Sequence, residues 1–303
     1  PVLAQRWCRE PVCDRSGSSR KINSNALDAA EVKRFCSILC AGSAAWRSLA
    51  ILQHAGRHVP VLFSFHRKAN MKKNIGIIGG MGPLATADLF RKIVLMTDAR
   101  CDQDHPRVLI DSNTNIPDRT AEILSGGENP LPQLAASART LERAGADVLM
   151  MPCNTAHYFY DGVCAATKLP VLHMLRLTAD EIDRRGIKTV GLLATDGTIQ
   201  TGIYEQLFDA HGVTVRKPDA MGQKQIMALI YDGVKAGNAA FDTSAVRKVL
   251  DAMLADGVEA FVLGCTELPI AFTDYALPYP VVDPTAVLAR AAIEFAGCRV
   301  KGE

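Results

Sequence analysis

The 303-residue chain lacks any apolar run near the roughly 18–20 residues a bilayer-spanning helix needs, so no membrane segment is expected. It also lacks an excess of one charge. Thirty-four Lys+Arg against 32 Asp+Glu leave a formal +2, which gives no general case for nucleic acid as a partner. Aromatic residues are sparse at 6%, with only two tryptophans. What is present is ordinary: 48% hydrophobic and 22% charged residues argue against a disordered, collagen-like or coiled-coil chain. The length suits one large or two medium domains with a real core.

The averages hide a seam at Met71. Residues 1–70 carry 11 Lys+Arg and 4 Asp+Glu, a net of +7, whereas 71–303 carry 23 and 28, a net of −5. Trp7, Trp46, Cys8, Cys13, Cys36 and Cys40 all precede the seam. No sustained helical or strand period runs through this first segment. Its cysteines have no zinc spacing and no matched histidines. It reads as a non-native or disordered extension: a mis-assigned start, an upstream read-through or a cloning leader. A targeting peptide fits the basic excess, but Glu10, Asp14, Asp28 and Glu31 oppose it, and a small genuine domain is the third reading.

After Met71 the chain alternates short apolar strands with amphipathic helices, which implies α/β architecture with mainly parallel sheets covered on both faces. Strands are expected at 74–78, 107–112, 147–151, 188–194 and 259–263. Helices are expected at 85–97, 133–144, 203–211, 223–236, 244–255 and 285–296. Two stretches repeat. Gly76-Ile-Ile78 returns as Gly191-Leu-Leu193, 115 positions on. Gly145-Ala-Asp-Val-Leu-Met-Met-Pro-Cys153 returns as Gly257-Val-Glu-Ala-Phe-Val-Leu-Gly-Cys265, with the cysteines 112 apart. Each cysteine leads on to a Pro-Val pair, Pro170-Val171 and Pro280-Val281. An internal duplication into two pseudo-symmetric three-layer domains follows, at 71–175 and 176–281, with 282–303 a closing helix returning to the first.

Duplication puts Cys153 and Cys265 at equivalent strand ends, where open α/β sheets bind ligands. A helix starting behind each favours thiolate over thiol. One such cysteine suggests a nucleophile. Two across a cleft suggest a base and an acid on opposite faces of a carbon, which inverts a stereocentre without a cofactor. Cys101, Cys164 and Cys298 lack the repeated context and read as structural. A metal on Cys153, His157 and Glu267 is short of ligands. His157 could act as a base or simply pack its helix, and Glu267 could pair with an ammonium or orient Cys265.

Four segments in this order, Gly79-Gly-Met-Gly-Pro83, Ile116-Pro-Asp-Arg-Thr120, Met151-Pro-Cys-Asn-Thr-Ala-His157 and Gly264-Cys-Thr-Glu-Leu-Pro269, resemble the cofactor-independent aspartate/glutamate racemase superfamily and within it the aspartate racemases. The resemblance covers 71–303 and none of 1–70. It implies two α/β domains with the active site in the cleft between them, catalysis by Cys153 and Cys265, and neither pyridoxal phosphate nor metal. It also implies a substrate site lined by Met81, Ser112, Asn113, Thr114, Asn154, Thr155 and Thr266. Arg119 and Lys235 match the family's basic substrate-recognition positions. The stretch Asp111-Ser-Asn-Thr-Asn115 is variable in the family. Glu267 stands where glutamate racemases carry histidine, which favours the aspartate branch. The implied partner is a dicarboxylic amino acid, the implied location cytoplasmic and the implied assembly a homodimer.

Competing readings remain within and outside that family. A glutamate or broad-specificity racemase, or a related isomerase or decarboxylase, keeps the same fold. A dehydrogenase is suggested by Gly80-Met-Gly82-Pro-Leu-Ala85, which matches G-x-G-x-x-A after a strand, with Asp98, Asp102 or Asp104 as ribose acid. The paired cysteines would then be idle. A non-catalytic amino-acid-binding protein would keep Arg119 and Lys235 but tolerate loss of either thiol.

Overall fold

The computed structural model describes residues 72–302 and two five-residue strands upstream of them. Those strands, β1 (Ala50–His54) and β2 (Arg57–Val61), pair antiparallel with Ala50 opposite Val61. Otherwise the expectation for residues 1–70 lies outside the described residues. The chain divides into a unit Pro1–Arg67 and a unit Lys68–Glu303. All other described elements belong to the second unit.

In that unit β3 (Ile75–Gly79), β4 (Val108–Ser112), β5 (Val148–Met150) and β6 (Val171–Leu172) form a parallel sheet in the order β4-β3-β5-β6. A second parallel sheet, in the order β10-β9-β7-β8, holds β7 (Thr189–Ala194), β8 (Thr214–Arg216), β9 (Ala260–Gly264) and β10 (Val281–Val282). Moving each strand of the first sheet four places along the chain gives the order of the second, so the topology is duplicated as the repeats imply. The duplication reaches single atoms. A Cβ on Gly76 would stand 2.7 Å from Cδ2 of its register partner Leu149. One on Gly191 would stand 2.7 Å from Cδ1 of its partner Phe261. Both glycines are required by space, at matching places in matching strands.

The helices are α1 (Pro83–Met96), α2 (Arg119–Ser125), α3 (Leu131–Arg143), α4 (Tyr160–Ala165), α5 (Met174–Arg184) and α6 (Asp196–Thr201). They continue with α7 (Ile203–Asp209), α8 (Ala220–Ala228), α9 (Ser244–Ala255), α10 (Leu268–Asp274) and α11 (Pro284–Phe295). Their ends follow local chemistry. Asp283 accepts from the N–H groups of Thr285 and Ala286 at the start of α11, and Pro284 sits where its missing N–H costs nothing. The helix expected at 223–236 divides instead, with α8 running into a π-helical stretch, Leu229–Lys235. Among the described residues no helix is long and apolar enough to cross a membrane.

Strand alternation distributes the core. Ile75, Ile77, Val148 and Met150 of the first sheet share one buried cluster with Val190, Leu192, Ala260 and Val262 of the second. Leu89 and Ile93 of α1, Met174 and Ile182 of α5, Tyr204 and Phe208 of α7 and Leu288 and Ile293 of α11 fill the space between. The opposite strand faces pack separately: Ile78 and Leu149 with Leu134 and Leu141 of α3, and Leu193 and Phe261 with Ile226, Leu250 and Met253. With each fully buried Leu, Ile or Phe worth about 1.5–3 kcal/mol, the shared middle layer joins the halves more firmly than any surface contact.

Candidate active site

The carboxyl ends of the two sheets meet at one small pocket. Cys153 and Cys265 both line it, each nearly buried at 6% and 7% exposure. Cys265 follows β9 directly, whereas β5 stops at Met150 and Cys153 stands three residues beyond it. The two strand ends are tied together, for the Thr266 hydroxyl donates to the carbonyl of Pro152 at 3.2 Å.

Each neighbouring element delivers one group. Asp118 is the N-cap of α2, accepting from Ala121 N–H at 2.7 Å, so the Ile116–Thr120 motif is a helix start that aims Arg119 at the pocket. Arg119 Nη1 donates to the carbonyls of Ile116 and Pro117 at 3.1 and 2.8 Å, while its Nε is buried without a protein partner. Lys235 comes from the π-helical stretch, with Nζ 4.2 Å from the centroid of the Tyr231 ring. Asn154 Oδ1 accepts from the Tyr204 hydroxyl at 2.5 Å, and its Nδ2 is buried without a protein partner. Thr155 shares hydrogen bonds of 3.1 Å with Thr195 and 2.9 Å with Thr198.

A thiol pair, two cations and unspent donors, held by duplicated half-sheets, make a site for an anionic small molecule. Residues 78–292 match the sequence profile of the Asp/Glu/hydantoin racemase family. The chain belongs to that family. The racemase is 34% identical to the solved aspartate racemase of Picrophilus torridus, at a TM-score of 0.70 over 76% of this chain and 96% of that one. An aspartate racemase homologue from Pyrococcus horikoshii is 29% identical at a TM-score of 0.61, covering 75% of this chain and 100% of that one. A broad-specificity amino-acid racemase of Bacillus subtilis is 28% identical over 225 residues, 72% of this chain and 96% of the relative.

Of the residues singled out in the sequence, the racemase pocket gathers Met81, Arg119, Cys153, Asn154, Thr155, Lys235, Cys265 and Thr266. Ser112, Asn113 and Thr114 are not among its lining residues. Asn113 instead buttresses the glycine turn. A Cβ on Gly80, whose φ is +89°, would stand 2.4 Å from the Asn113 backbone, so only glycine fits there. The Thr86 hydroxyl completes the turn by accepting from Gly80 N–H and donating to Gly82 O, both at 2.9 Å. A Cβ on Gly82 would lie 3.0 Å from Oε1 of Glu267. A carboxylate beside this turn repels a pyrophosphate, which argues against the dinucleotide reading.

A carboxylate sits beside the second thiol. The Cys265 thiol donates to Oε2 of Glu267 at 3.0 Å. Burial first, then the Glu267 charge and that hydrogen bond, push its pKa well above the ordinary thiol range, against a smaller pull from Lys235. A strand-end position was expected to favour the thiolate; for Cys265, burial beside a carboxylate wins. Burial works against the Lys235 ammonium, yet Glu267, Tyr231, Cys265 and Cys153 together hold its pKa above the usual lysine value.

His157 takes the structural option. Its Nδ1 lies 2.8 Å from the carbonyl of Cys153 and its Nε2 accepts from Met174 N–H at 3.2 Å. A carbonyl only accepts and an amide N–H only donates, so the proton is on Nδ1 and no nitrogen is left for a metal. Burial, then the neighbouring His173, depresses its pKa to about 3. Sequence reasoning missed Asp118, Thr120, Thr195 and Tyr231 as lining residues. Tyr231 had one readable signal, its i,i+4 spacing to Lys235.

Proposed function

We propose that this racemase interconverts L- and D-aspartate by moving protons at Cα between two thiols, Cys153 and Cys265, with neither pyridoxal phosphate nor metal. The observation that carries the reading is that equivalent cysteines of a duplicated fold line one small pocket beside Arg119 and Lys235. Inversion needs a base on one face of Cα and an acid on the other. Cys265, holding its proton against Glu267, is in the acid's form. Cys153 as thiolate takes the α-proton while Cys265 returns one to the opposite face. Turnover leaves the two thiols with exchanged protons, ready for the other hand.

Thiolate basicity is not enough alone. A turnover of about 10 per second corresponds to a barrier of about 16 kcal/mol, and the α-proton of an amino acid is only weakly acidic. The carbanion charge needs fixed partners. Lys235 and Arg119 Nε supply positive charge and an unspent donor on the pocket wall. Two cations suit two carboxylates, Arg as a planar fork and Lys as a point charge. The likeness to a broad-specificity racemase favours a second reading with a wider amino-acid range.

A homodimer fits the outward face of α1. Leu84, Phe90, Val94 and Leu95 are 37–56% exposed there, and Ile110 of the neighbouring edge strand β4 is 41% exposed. Large apolar side chains exposed in this number on one helix and the edge strand beside it are costly to leave in water.

The test incubates L- and D-aspartate separately with the full chain in deuterated buffer without added cofactor. Inversion from both hands with deuterium at Cα supports the proposal. Reaction with glutamate or other amino acids but not aspartate moves the substrate. No exchange with any amino acid, in folded and reduced protein, overturns it.

A further inference from the structure

The strongest unexplained contact in the pocket wall is made by a residue that lines no part of the pocket. Tyr204 is fully buried on α7, among the aromatic and aliphatic side chains between the sheets, with Phe208 edge-on at 5.2 Å. Its hydroxyl reaches across to Asn154, which directly follows Cys153 in the other half. A buried tyrosine hydroxyl needs a partner. Here the partner is an amide whose two ends differ: Oδ1 accepts and Nδ2 donates.

That difference sets a direction. With Oδ1 turned to Tyr204, the Nδ2 of Asn154, a residue only 2% exposed, is a buried donor with no protein partner in a side chain that lines the pocket. Were the amide reversed, Oδ1 would face the pocket and repel a carboxylate. Burial first, then Cys265 and Asp283, raises the phenol pKa well above its ordinary value, so the hydroxyl keeps its proton and stays a donor. The neighbouring turn supports the same wall, since Thr195 and Thr198 hold the hydroxyl of Thr155.

We propose that Tyr204 is a positioning residue: it fixes the Asn154 amide so that Nδ2 donates to a carboxylate of the bound amino acid. The inference rests on the aspartate reading above for its substrate. Its mechanical part, the orientation of an anion-binding donor from the opposite half of the fold, stands on the contact alone. Tyr204 thereby makes one half of the protein a determinant of substrate binding by the other.

Tyr204→Phe removes the hydroxyl and keeps the ring. The expected result is a KM for aspartate raised about tenfold with kcat changed less than about threefold, because a binding donor rather than a proton carrier is lost. Succinate, a dicarboxylate that cannot racemise, gives an independent reading by calorimetry, and its affinity should fall by a similar factor. In an Asn154→Ala background the same Tyr204→Phe change should add nothing to either readout, since Tyr204 acts through Asn154. Unchanged succinate affinity in a folded Tyr204→Phe variant overturns the inference, as does a penalty that adds in full to that of Asn154→Ala. If the parent chain binds succinate but racemises no amino acid, the proposed activity fails while the succinate comparison still decides the role of Tyr204.

Discussion

The Sγ of Cys265 lies 3.0 Å from Oε2 of Glu267, two residues further along the chain, so one proposed acid has its proton held by a buried carboxylate. The pair is local in sequence because Cys265 leaves the end of β9 and Glu267 is the residue before α10. Replacing Glu267 with Gln keeps the shape and removes the charge. A nearby negative charge raises a thiol pKa, so its removal must lower that of Cys265. The rate of iodoacetamide labelling of the Cys265 peptide, followed against pH, should show its midpoint at lower pH in Glu267→Gln. Inversion should slow by up to about 10²-fold, because Cys265 is no longer held in the acid's form. An unmoved labelling midpoint would mean the carboxylate does not control this thiol.

Cys153→Ser and Cys265→Ser should each lose inversion by about 10²-fold or more, because serine is far less acidic than cysteine and a poor proton carrier here. Both side chains are nearly buried and closely isosteric with serine, so melting temperatures should stay near that of the parent. Chiral chromatography measures the loss. Near-normal inversion in both variants would remove the two-thiol mechanism.

Lys235 gives a cleaner probe of charge recognition than Arg119, whose Nη1 also holds the carbonyls of Ile116 and Pro117. A hydrogen bond to a charged group is worth about 1.5–3 kcal/mol. Lys235→Met should therefore raise the KM for aspartate about 10–100-fold while changing that for alanine, which has no second carboxylate, much less. Steady-state kinetics on both amino acids checks this, and an equal rise for both would assign Lys235 to the α-carboxylate or to packing.

Leu95 is 56% exposed on α1. Leu95→Glu should halve the solution mass by light scattering if that face joins two copies, without changing the secondary-structure content. A monomeric parent chain would exclude the homodimer directly.

The sequence displayed what repeats and what is periodic. Long strands such as β3, β7 and β9 are continuous apolar runs, and the spacing of Cys153 and Cys265 carries the duplication into the pocket. Two-residue strands β6 and β10 have no period to read, although each starts at the valine of a repeated Pro-Val pair. The π-helical stretch was hidden because Leu229–Lys235 has the composition of an ordinary helix. Its wider turn depends on tertiary packing rather than propensity. The contact between Tyr204 and Asn154 spans 50 residues, and no local pattern marks it. The tautomer of His157 likewise required knowing which backbone groups face its two nitrogens.

His157 yields the last prediction, on stability. Its ordinary pKa of about 6.5 falls to about 3 in the folded protein through burial and then the charge of His173. His173, half-buried beside it with ring centroids 5.1 Å apart, falls to about 4 through burial and then Arg176. Between those folded values and 6.5 the unfolded chain binds protons that the native chain refuses. Unfolding free energy therefore rises with pH across this window and is lost as pH falls through it. For fully buried His157 the shift corresponds to about 4–5 kcal/mol in the limit. Glu181, held down to about 2 first by its hydrogen bond to Arg184, adds to the loss only below its ordinary range near 4.5. Urea melts at pH 7, 6, 5 and 4.5 should show the midpoint falling steadily. His157→Asn keeps an N–H for the Cys153 carbonyl but cannot titrate. It should be less stable at pH 7, with a shallower decline towards pH 4.5. An equal slope in parent and variant would show that His157 does not govern the acid sensitivity of the fold.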